Sequence, residues 1–71
     1  MKDLGNNVLI ETISEIIAEA DELLEYEDND YKSGQLLAYA TALGIIRDSL
    51  SGYDLKEFGL DFDIDKKYLL K

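Results

Sequence analysis

Apolar residues recur along this chain first at helical spacing and then, near the end, at alternate positions. Leu9, Ile13, Ile16, Ile17, Ala20 and Leu24 follow three- and four-residue steps, which sets them on one face of a helix. Glu11, Glu15, Glu19 and Glu22 fall on another face. The pattern predicts an amphipathic helix over about residues 8–25, roughly 27 Å long at 1.5 Å per residue. Asn7 is its expected N-cap, and Glu11 then lies near the first turn, where the helix dipole favours an acid.

Glu25-Tyr26-Glu27-Asp28-Asn29-Asp30 reads as a polar connector of ordinary length for two antiparallel helices. A second helix is expected over about residues 31–51, with Asp30 as N-cap, Ser33 as the fallback and Gly52 as the stop. Leu36, Tyr39, Leu43, Ile46 and Leu50 form one seam along it. Leu37, Ala38, Ala40, Ala42 and Ile45 make its other sides apolar as well, the mark of a central, covered helix. Gly34, Ala38 and Ala42 recur at four-residue steps and Ala40 is four residues from Gly44, so another helix can approach closely.

Asp54-Leu55-Lys56-Glu57 has the spacing of a capping box, which predicts a short helix at about 55–58 ended by Gly59. Leu60, Phe62 and Ile64 then alternate with Asp61, Asp63 and Asp65. That period of two predicts an extended segment with one apolar side, within a C-terminal stretch of 60–71. Asp65 is the expected cap of a last turn from Lys66 to Leu70.

Charge changes this picture. The formal net charge is −9, and all of it sits between Glu11 and Asp30, where there are nine acids and no base. Glu27, Asp28 and Asp30 precede a helix start, where acids are favoured, whereas Asp21, Glu22 and Glu25 stand at the negative end of the first helix. Lys66, Lys67 and Lys71 form the chain's basic cluster and are the first candidates to answer these acids. Arg47 is expected to pair with an acid of the first helix. So acidic a chain does not bind nucleic acid through phosphates, and it disfavours anionic membranes.

Composition narrows the chemistry. An apolar share of 46% supports one packed domain over residues 1–71. With no cysteine, neither a disulfide nor a thiolate metal site is available, and oligomerisation is the remaining aid to so short a chain. With no histidine, the commonest general base and metal ligand are missing. Asp61-x-Asp63-x-Asp65 opens like a calcium loop, but Lys66 stands where that loop needs glycine, and its twelfth position lies beyond Lys71. The glutamate ladder lacks the histidines of a di-iron bundle. No cofactor, metal or catalytic residue is therefore expected, and the chain is not expected to be an enzyme. Tyr39 is expected in the core; Tyr26, Tyr31 and Tyr53 are open to either a surface or an interface role, and Tyr68 to a half-exposed place at a helix end. No run is long and apolar enough for a membrane span or secretory signal, so a soluble, cytoplasmic protein is expected.

The segments Ser33-Gly34-Gln35-Leu36-Leu37-Ala38-Tyr39-Ala40, Ile45-Ile46-Arg47-Asp48 and Glu57-Phe58-Gly59-Leu60-Asp61 are similar to small uncharacterised helical proteins of Gram-positive bacteria and their phages or mobile elements. The resemblance implies a small helical fold and transfers no site residue.

The expected architecture is all-α: an antiparallel helical hairpin, a short third helix and an extended C-terminal segment, with a four-helix core completed in a homodimer. Leu36, Tyr39, Leu43, Ile46 and Leu50 are the expected core or dimer seam. Glu15, Glu19, Asp21, Glu22 and Glu25 are the expected partner-binding face. The expected function is a non-enzymatic interaction or regulatory protein that meets a basic partner. The alternative is an inhibitor that imitates nucleic acid, of the anti-restriction, anti-CRISPR or toxin-immunity type.

Overall fold

A computed structural model describes the backbone of residues 2–69 and the side chains of residues 7–69. Within it α1 spans Lys2–Leu23, α2 spans Asp30–Ser49, a 3₁₀ turn spans Leu55–Phe58 and α3 spans Ile64–Tyr68. The described residues contain no strand. The fold is an elongated 44 × 18 × 15 Å body in which α1 and α2 form a hairpin. The 3₁₀ turn packs on α1, and α3 packs on α2.

α1 begins well before Asn7, which is an exposed helical residue and not a cap. No proline interrupts residues 2–7, and a single Gly5 costs the helix only about 1 kcal/mol against alanine. Glu11 therefore lies in mid-helix, away from the dipole that was expected to welcome it. At the other end the helix stops at Leu23, and Leu24, Glu25 and Tyr26 tighten into a turn. Their amides donate to the carbonyls of Asp21, Glu22 and Leu23 at 3.1, 3.2 and 3.1 Å.

The N-cap of α2 is Asn29, not Asp30 or Ser33. Its side-chain oxygen accepts from the Lys32 amide at 2.8 Å, and its backbone is extended. Asp30 is the first helical residue, where its charge still faces the positive end of the dipole. α2 ends at Ser49, with Leu50 as C-cap, earlier than Gly52 suggested. Gly52 instead supplies the positive φ of the turn that follows, at +94°.

Asp54 caps the 3₁₀ turn through the Lys56 amide at 3.1 Å, and Gly59 ends it in the left-handed region at φ +76°. The last helix is capped by Asp63 rather than Asp65: the Asp63 carboxylate accepts from the Lys66 amide at 3.0 Å. The helix therefore starts two residues earlier than expected, and Ile64 is its first residue. The intended apolar side survives this change, because Leu60 and Ile64 are buried and Phe62 is half-buried. The expected last turn reaches Leu70, which lies outside the described residues.

Ile13 and Ala20 from α1 meet Leu36, Ala40 and Leu43 from α2, and Leu50, Phe58, Leu60, Ile64 and Tyr68 close the core. The predicted seam is thus an intramolecular one: Leu36, Leu43 and Leu50 are buried, and Tyr39 and Ile46 pack against them. α2 is nevertheless not covered all round. Leu37 is 54% exposed and Ile45 62%, because one hairpin partner and one short helix shield only one side of it. Tyr68 is the deeply buried tyrosine, contrary to its expected half-exposed place, whereas Tyr26, Tyr31 and Tyr53 stand in solvent.

Candidate functional site

Helical periodicity turns Glu11, Glu15, Glu19 and Glu22 away from the core face of α1, and all four are exposed. Four-residue steps separate Glu11, Glu15 and Glu19 by about 6 Å each along the axis. Among the described residues, none of these four carboxylates has an ion pair. Glu25, also exposed, sits in the turn after the helix rather than on it. The described residues hold no group of three acids positioned to bind a metal ion.

Asp21 departs from that face. It occupies the shoulder of α1 nearest α3 and is only half-exposed. Its Oδ1 accepts a 2.7 Å hydrogen bond from the Tyr68 hydroxyl and pairs with the Lys67 ammonium at 3.1 Å. The same ammonium lies 4.9 Å from the centroid of the Phe62 ring and 5.3 Å from that of Tyr68. Phe62 in turn meets Tyr68 edge-on, with centroids 6.2 Å apart. Burial, reinforced by the hydrogen bond to Asp21 and by its negative charge, pushes the Tyr68 hydroxyl well above the usual tyrosine range. That proton is held in place as a structural donor.

The helix hairpin corner is organised by a residue that the sequence pattern did not single out. Lys32 is buried in the first turn of α2. Its ammonium donates to the Tyr26 carbonyl at 2.7 Å, the Leu24 carbonyl at 3.3 Å and Asp28 Oδ1 at 3.0 Å. Two carbonyls of the turn that follows α1 are therefore answered by a cation, beside the end of the α1 dipole that favours one. All three ammonium protons have acceptors, which is what makes a buried lysine tolerable. One sequence signal was available: Lys32 lies four residues after Asp28 and is the first base after the acidic window.

Among the described residues, the compensation for the acidic window comes from Lys32 and Lys67. Lys71 lies outside the described residues, Lys66 is exposed and pairs with no described acid, and Arg47 pairs with none either. Between the two engaged lysines runs a groove of about 350 Å³, walled by Leu24, Leu36, Tyr68 and Leu69. Both of its cations already have partners, so it offers no free charge to a ligand. Among the described residues no helix is long and apolar enough to cross a membrane.

Among the described residues, the surface is thereby divided into an unpaired carboxylate row on α1 and a junction of satisfied polar groups beside it. No family model matches the chain, and neither a curated protein nor a solved structure is significantly similar to it.

Proposed function

We propose that this chain is a small non-enzymatic interaction protein that presents the acidic face of α1 to a basic partner and acts as a homodimer in the cytoplasm. One observation carries the reading: Glu11, Glu15, Glu19 and Glu22 stand exposed in a row without a basic counterpart among the described residues. Four carboxylates along one helix face repel one another in free solution, and a cationic surface relieves that repulsion. The binding set is accordingly Glu15, Glu19 and Glu22, extended by Glu11 on the helix and by Glu25 in the turn. Asp21 leaves the set because Tyr68 and Lys67 already use it.

The second reading, imitation of nucleic acid, is favoured by the step of about 6 Å along the helix axis from Glu11 to Glu15 and from Glu15 to Glu19. Both readings are tested with the triple variant Glu15→Lys, Glu19→Lys, Glu22→Lys. Proteins retained from a lysate by the immobilised native chain and lost by the variant, with helical circular dichroism unchanged, are the expected outcome. Displacement of such a protein by duplex DNA selects the mimic. Retention that survives the triple reversal rejects both.

A further inference from the structure

We draw no further inference here: the strongest candidate, the exposed face of α2 around Leu37 and Ile45 with the adjoining apolar groove walled by Leu9, Ile45, Leu50, Tyr53 and Phe58, is an unpartnered apolar surface, and nothing in the structure shows what covers it.

Discussion

The Tyr68 hydroxyl donates a 2.7 Å hydrogen bond to Asp21 Oδ1 across 47 positions of sequence. It fastens α3 to α1 with a buried ring and a charged acceptor, while Lys67 holds the same oxygen from the solvent side. Removing the hydroxyl with Tyr68→Phe leaves the packing in place and should cost about 1 kcal/mol in urea unfolding at neutral pH, discounted for the partial exposure of Asp21. A loss below a few tenths would mean that the bond contributes nothing.

The same pair sets an alkaline limit. Below the ordinary tyrosine pKa of 10.0 both folded and unfolded chains keep the proton, and stability is indifferent to it. Above that value the unfolded chain releases its proton while the folded chain, with its raised pKa, retains it. Stability should therefore fall as pH rises past 10, by up to about 1.4 kcal/mol per pH unit for this group. The slope is read as the native chain minus Tyr68→Phe, which cancels the other tyrosines and lysines. Equal slopes in the two chains would rule the effect out.

Lys32→Met keeps the length and apolar stem of the side chain and deletes its ammonium. The carbonyls of Leu24 and Tyr26 lose their donor and Asp28 loses its 3.0 Å partner. The expected loss is about 2 kcal/mol in chemical denaturation, large for a domain of this size. Hydrogen exchange at the amides of Leu24–Tyr26 should accelerate with it. An unchanged midpoint would show that water replaces the ammonium without penalty.

The observed cap of α2 and the expected one separate cleanly. Asn29→Ala should cost about 1 kcal/mol by leaving the Lys32 amide without its acceptor. Asp30→Ala should remove only a dipole contribution, about 0.5 kcal/mol, and that part should vanish in high salt. The reverse ranking in thermal unfolding would return the cap to Asp30.

Leu43 sits at the centre of the α1–α2 contact with no exposed surface. Leu43→Ala should destabilise the chain by about 2–5 kcal/mol through lost transfer energy and a residual cavity. Calorimetry should show little or no cooperative transition near body temperature if the larger value holds. A cost below 1 kcal/mol would place this helix face outside the core.

Periodicity alone located the hairpin, because Ile13, Ala20, Leu36 and Leu43 repeat at steps that only a helix brings to one face. Asp54 and Gly59 were equally readable, since a cap and a left-handed stop are local events. The misplaced ends share a cause. Asn29 and its neighbour Asp30 are of equal capping ability, and so are Asp63 and Asp65, which flank Ile64 on an acidic repeat, so that only the tertiary position of the next apolar residue decides between them. α1 overran Asn7 because nothing in the preceding residues forbids helix. Exposure on α2 was hidden for a different reason: an all-apolar helix reads as covered, and sequence does not say how many neighbours the chain has to cover it with. Lys32 was hidden because its acceptors are mostly backbone carbonyls, which leave no mark in the side-chain pattern. Asp21 and Tyr68 met through packing, a relation that spacing does not express.

The contacts of Lys32 reach only four to eight residues back along the chain. Closing so short a loop costs little chain entropy, whereas the clasp between Tyr68 and Asp21 must first gather most of the polypeptide. The lysine corner is therefore the cheaper of the two to close, and the tyrosine clasp the dearer. A hairpin whose acids crowd the end of α1 and the turn after it is closed at that corner by a single buried cation.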